Sequence, residues 1–170
     1  SMGADKAVHV EDDDLHGTDV MGTSLVLAKA VEKAGYDLVI CGMASTDGVV
    51  PSMAVYADAT SAAPITESHP TQPISPYGIG KLAAEGVSHQ ILEARGIPFT
   101  AVRFFNTFGP GQTYTPYVGV ITIFVGRLLR GQNITIFGDG EQQRDFVHVD
   151  DIATGTMLTA GREPGTYNLG

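Results

Sequence analysis

Tyr77 and Lys81, four apart in the stretch Ser75-Pro76-Tyr77-Gly78-Ile79-Gly80-Lys81, are residue types that can do chemistry together. On a helix that spacing stacks them on one face, about one turn apart. An ammonium close to a phenol favours the phenolate and lowers the tyrosine pKa towards neutrality. A tyrosine poised in this way takes or returns a proton during redox chemistry on an alcohol. The same spacing also occurs where a helix simply starts with one packed tyrosine and one exposed lysine, so the surroundings must decide.

The flanking sequence predicts the element that carries the pair. Pro76 disfavours helix for the residue before it and suits a helix's first turn. The helix is expected over residues 77–95, with Gly96 as its stop and Pro98 beyond. Residues 99–105 (Phe-Thr-Ala-Val-Arg-Phe-Phe) predict a strand, and Asn106 follows at its carboxyl end. Ligands of open parallel sheets collect at such ends; an Asx turn is the other reading of Asn106. Residues 117–130 predict an amphipathic helix, residues 134–137 a short strand, and Gly138-Asp139-Gly140 a turn. Arg144 suits bidentate capture of a diphosphate, or a surface ion pair with Asp145 or Asp139. Asp150 or Asp151 is expected to cap a helix over residues 152–160. His148 lies in an alternating strand and reads as a packed histidine. Residues 166–169 are the last strand candidate.

The first third repeats the strand–helix–strand pattern of a parallel α/β sheet. Residues 7–10 are a strand candidate. Asp12, Asp14 and His16 could bind a cation or form a solvated acidic loop. Thr18-Asp19 can cap a helix whose apolar positions are Leu25, Val26, Ala30, Val31 and Ala34, stopped by Gly35. Residues 37–42 (Asp-Leu-Val-Ile-Cys-Gly) predict a buried parallel strand. Residues 60–73 are a surface loop by composition.

Composition narrows the function classes. The 170 residues are 43% hydrophobic, enough for a core and consistent with one α/β domain over residues 1–170. A net charge of −9 argues against nucleic acid or an anionic membrane as partner. Cys41 is the only cysteine, which fits a reducing cytoplasm. There is no zinc pattern or P-loop, and no metal site is expected. Every base before Lys81 is lysine and every base after it arginine, a shift that suggests two origins.

Two resemblances sharpen this division. The wording Gly3-Ala4-Asp5-Lys6-Ala7-Val8-His9-Val10, Leu25-Val26-Leu27-Ala28-Lys29-Ala30 and Cys41-Gly42-Met43-Ala44-Ser45-Thr46-Asp47-Gly48 resembles the β subunit of electron transfer flavoproteins. That resemblance implies AMP and FAD as family cofactors. From Val49-Val50-Pro51-Ser52-Met53-Ala54-Val55-Tyr56 onwards, through Pro76-Tyr77-Gly78 and Arg144-Asp145-Phe146-Val147-His148, the chain resembles the NAD-dependent epimerase/dehydratase family. These are extended short-chain dehydrogenases acting on nucleotide sugars. The resemblance implies Ser52, Tyr77 and Lys81 as catalytic residues, with Ser52 sharing the sugar hydroxyl proton, Tyr77 taking it and Lys81 holding the cofactor ribose. It also implies Asn106 and Arg144 as substrate contacts, and Tyr77, Lys81 and Phe105 as part of a cofactor site.

A dinucleotide site needs a strand, a glycine-rich turn and a helix N-terminus aimed at the pyrophosphate. Gly78-Ile79-Gly80-Lys81-Leu82-Ala83 has the letters, but Pro76 and no strand precedes it. The expectation is therefore a Rossmann-like, three-layer α/β fold built from two unrelated fragments joined near residues 47–52. It would be a catalytically silent chimera with no cofactor bound. The alternatives are a fragment with residual NAD or NDP-sugar binding and an AMP-binding electron-transfer module. Exposed strand edges make a homodimer or swapped dimer an expected partner arrangement.

Overall fold

The computed structural model describes residues 4–11, 20–41, 55–56, 64–112, 119–141 and 143–170. The chain divides into two compact units, Ser1–Gly42 and Met43–Gly170. In the first, α1 spans Val20–Ala34. Lys29 Nζ donates to Glu32 at 2.8 Å along its exposed face, and Gly35 ends it with φ +70°. Neither 7–10 nor the described part of 37–42 is a strand, contrary to expectation. An apolar run becomes a strand only where a neighbour takes its amides and carbonyls. No strand forms among the described residues of this unit, and Leu38, Val39 and Ile40 stand exposed. Asp12, Asp14, His16 and the Thr18-Asp19 cap lie outside the described residues.

In the second unit, α2 spans Pro76–Glu93. Ser75 caps it from extended backbone, its Oγ accepting the Gly78 N–H at 3.1 Å. Pro76 sits in the first turn, where a missing amide costs nothing. Gly96, at φ +68°, closes the end with its N–H on the Glu93 carbonyl at 2.9 Å. Then come β1 (Ala101–Phe104), β2 (Asn106–Phe108), α3 (Val120–Leu129), β3 (Phe146–His148), α4 (Val149–Thr159) and β4 (Thr166–Leu169). Residues 134–137 are not a strand; Ile136 and Phe137 are exposed.

β1 pairs in parallel with β4, Ala101 opposite Thr166 and Arg103 opposite Asn168. β2 pairs in parallel with β3, Asn106 opposite Phe146. Residues 101–108 are thus one run of chain that changes partner at Phe105, whose N–H still donates to the Leu169 carbonyl at 2.9 Å. Side chains alternate across a strand. Val102, Phe104, Tyr167 and Leu169 therefore share one face of the β1–β4 pair, while Arg103 and Asn168 share the other. α4 packs on the first face. Gly155 permits the approach, because a Cβ there would stand 2.9 Å from both Leu169 methyls. α2 is tied to the second face through Arg103 and Glu85. Parallel strands with helices on both faces are the Rossmann-like arrangement expected.

α4 begins three residues earlier than expected, and neither Asp150 nor Asp151 caps it. His148 does, its Nδ1 accepting the Asp150 N–H at 3.3 Å. The two aspartates occupy the first turn, where negative charge suits the helix dipole. The His148 ring also meets Phe108 edge-on at 5.4 Å, while its side chain stays 36% exposed. Beside it, Gly109 has φ +153°, and a methyl there would stand 2.5 Å from Val149 Cγ1. Gly109→Ala is expected to cost about 1–3 kcal/mol by overpacking; an unchanged urea midpoint would show the α4 start giving way freely.

Candidate functional site

The cap and first turns of α2 place Tyr77 and Lys81 as the spacing predicted. Lys81 Nζ lies over the Tyr77 ring, 5.3 Å from its centroid, and both side chains are half-buried. A cation over an aromatic face is held by the ring quadrupole. Burial holds the Lys81 pKa below its ordinary value, because a partly dehydrated ammonium releases its proton more readily. Ser52, the third member of the expected catalytic set, lies outside the described residues.

A second group forms where residues 101–108 change partner. Phe105 is buried at 8% exposure. A Cβ on Gly170 would stand 2.9 Å from both the Phe105 ring and Asp145 Oδ2, so these three converge. Asn106 Nδ2 donates to the Asp145 carbonyl at 3.0 Å, tying the carboxyl end of β1 to the segment that carries Arg144. Arg144 is exposed, its Nη1 donating to the Gln143 carbonyl at 2.8 Å. This bond links two strands across 39 residues and is not the local bond of an Asx turn. Two cavities lie elsewhere. One of about 300 Å³ sits at the start of β1 and β4, by His89, Phe99 and Gly165. Another, about 400 Å³, is bordered by Leu158, Arg162 and Tyr167.

Sequence reasoning missed Arg103, a buried side chain with hydrogen bonds to two distant residues. Arg103, 7% exposed, grips Glu85 with two nitrogens, Nε to Oε2 at 3.0 Å and Nη2 to Oε1 at 2.7 Å. Its Nη1 donates to the Tyr56 hydroxyl at 2.7 Å, and that hydroxyl donates to Asn168 Oδ1 at 2.6 Å. Asn168 Nδ2 donates to the Ile65 carbonyl at 3.0 Å. Burial works against the Arg103 charge, but the hydrogen bonds it donates to Glu85 and Tyr56, together with the Glu85 charge, outweigh it, so its pKa is raised. The signal was available: one charge inside an apolar strand is buried only if paired.

The network reaches one carboxylate at the surface. Asn168 N–H donates to Glu67 Oε1 at 2.8 Å, and this bond first, then one from Glu67's own backbone, holds that carboxyl below its ordinary value. A depressed carboxyl contributes stability above its unfolded value, near 4.5, and loses it as pH falls through the folded value. Glu67→Gln is expected to flatten the acid limb of the stability curve below pH 4.5; an unchanged slope in acid titration would count against the bond.

Tyr77 and Lys81 are the described residues that could hold a cofactor's ribose. A partly dehydrated ammonium and a phenol on one helix face are donors suited to ribose hydroxyls. No glycine-rich strand–turn–helix for the pyrophosphate is formed among the described residues. Nor do these hold three His, Cys, Asp or Glu side chains that could bind a metal ion, or a helix long and apolar enough to cross a membrane.

Comparison with known proteins gives one answer throughout. The model of the NAD dependent epimerase/dehydratase family matches residues 3–170. A UDP-glucose 4-epimerase of Halalkalibacterium halodurans is 31% identical over 170 residues, which cover 89% of this chain and 48% of the relative. The structure of UDP-glucose 4-epimerase from Thermotoga maritima with UDP-glucose has a TM-score of 0.66 at 36% identity, over 71% of this chain and 39% of that one. The Thermus thermophilus UDP-glucose 4-epimerase complex with NAD has a TM-score of 0.64 at 30% identity, over 71% of this chain and 40% of that one. The chain thus spans about half the length of the curated relative it matches. The family match runs through residues 3–47 as well. It lends no support to a flavoprotein origin for that segment, to a junction near residues 47–52, or to FAD and AMP as cofactors.

Proposed function

The chain belongs to the NAD dependent epimerase/dehydratase family, and from that premise we propose that it carries the proton-transfer and sugar-binding part of a nucleotide-sugar epimerase or dehydratase. The observation that carries the reading is Lys81 Nζ seated over the Tyr77 ring on one face of α2. NAD, when bound, supplies the hydride acceptor. The chain's own residues handle the rest. The Tyr77 oxygen takes the proton of the sugar hydroxyl as that carbon becomes a ketone. Lys81, by its charge, stabilises the phenolate form of Tyr77 that accepts this proton and so becomes a neutral phenol; it also holds the cofactor ribose. Ser52 shares the hydroxyl proton. Arg144 binds the sugar nucleotide's diphosphate through its forked donors. Asn106 braces the substrate side, and Phe105 closes the cofactor side with an apolar ring.

A catalytically silent scaffold is the second reading; among the described residues no strand–turn–helix for a pyrophosphate is formed. Melting temperature separates the two, because a ligand that binds only the folded state raises it. NAD together with UDP-glucose or dTDP-glucose is expected to raise it, and Arg144→Ala to remove the nucleotide-sugar part. No shift with any of them would leave the silent scaffold standing. A shift with AMP alone would favour an electron-transfer module.

A further inference from the structure

We propose that Arg103, Glu85 and Tyr56 form a clamp that fixes the roll of α2 and thereby holds the Tyr77–Lys81 face half out of water. The proposal rests on the reading of Tyr77 and Lys81 as the reactive pair. Tyr77, Lys81 and Glu85 succeed one another at intervals of four, so they lie along one face of α2. Apolar contact is non-directional and does little to fix a helix's rotation about its own axis. α2 has little such contact. Gly78 is its only fully buried residue among those described, while Ile79, Val87 and Ile91 are exposed.

Directional bonds must then set the roll, and the Arg103 fork on Glu85 supplies two of them. The remaining nitrogen holds Tyr56, 3% exposed and packed edge-on against His69 at 5.8 Å. Through the Tyr56 hydroxyl the clamp closes on Asn168, the residue opposite Arg103 in β4. One guanidinium therefore joins α2, both strands of the β1–β4 pair and Tyr56. One turn before Glu85 on the same face, Lys81 is half-buried above Tyr77. Turning α2 would return its ammonium to water. These are positioning residues: none needs to touch substrate.

The Lys81 ammonium reports the roll directly. The chain has four lysines, and ¹³Cε-lysine NMR with Lys81→Arg identifies the signal. Among the described residues the Tyr77 ring lies beneath it, burial alone lowers its pKa, and Glu85, one turn on, is engaged by Arg103. In the unaltered protein Lys81 is expected to titrate below the other lysines. Tyr56→Phe removes only the hydroxyl, and Arg103→Lys keeps the charge but loses the fork. Both are expected to move the Lys81 midpoint up towards the others while cooperative melting survives. Tyr167→Phe, which loses a bond to the Glu163 carbonyl on the other face, is the control and should leave Lys81 unmoved. A Tyr56→Phe protein that melts lower with Lys81 still depressed would reduce the network to ordinary structure and overturn the proposal. So would a Lys81 that titrates with the other lysines at the outset. Nucleotide-sugar binding is read separately, so a protein that binds none yet shows the Lys81 response keeps the clamp and discards the functional reading.

Discussion

Arg103→Ala is expected to cost about 3–5 kcal/mol, because it leaves the Glu85 carboxylate without its partner in a nearly dry site. Arg103 and Glu85 side chains are only 9% and 18% exposed, so water cannot replace the lost guanidinium easily. The loss is measured as a drop in urea midpoint at constant slope. A companion experiment assigns the cause. Arg103→Met with Glu85→Leu removes both charges and should recover most of the loss, since an apolar pair of similar volume often serves as well as a buried ion pair. A single substitution that shifts the midpoint by less than about 1 kcal/mol would mean the pair behaves as an exposed one.

Tyr77→Phe is expected to slow nucleotide-sugar turnover by about 10²–10⁴-fold, the usual worth of a positioned proton acceptor. The phenyl ring still offers Lys81 a face to rest on, so helix and packing should survive. Melting shifts with the nucleotide sugar should therefore persist while chemistry fails. The matching assay follows interconversion of UDP-glucose and UDP-galactose with NAD present, variant against parent. A variant that turns over as fast as an active parent would remove Tyr77 from the mechanism.

The sequence made the local elements legible where punctuation was strong. Pro76 and Gly96 bracket α2 to within two residues at its end, and β4 falls on Thr166–Leu169 as read. The Tyr77–Lys81 stack followed from helical spacing alone. What spacing does not reveal is partnership across the chain. Residues 37–42 and 134–137 have the composition of strands but lack a neighbour, among the described residues, that would make them so. Arg103 looked like part of an apolar strand, because Glu85 and Tyr56 are distant in sequence and meet it only after folding. The α4 cap was misassigned for a related reason: His148 ends a strand and starts a helix at once, and its ring reached the amide before Asp150 or Asp151 could. The division of the chain by wording finds no support in the family match, which spans residues 3–170.

The change of partner at Phe105 also sets an order of events during folding. Asn106 reaches Phe146 across a shorter loop than Ala101 needs to reach Thr166. Closing the shorter loop loses less chain entropy. Once β2 and β3 are joined, α4 follows β3 directly and carries β4 back towards β1. The strand then fastens like a zip from its far end. Pulse-labelled hydrogen exchange should find the amides of the β2–β3 pair protected before those of the β1–β4 pair, and the reverse order would place the nucleus at the other end of the strand.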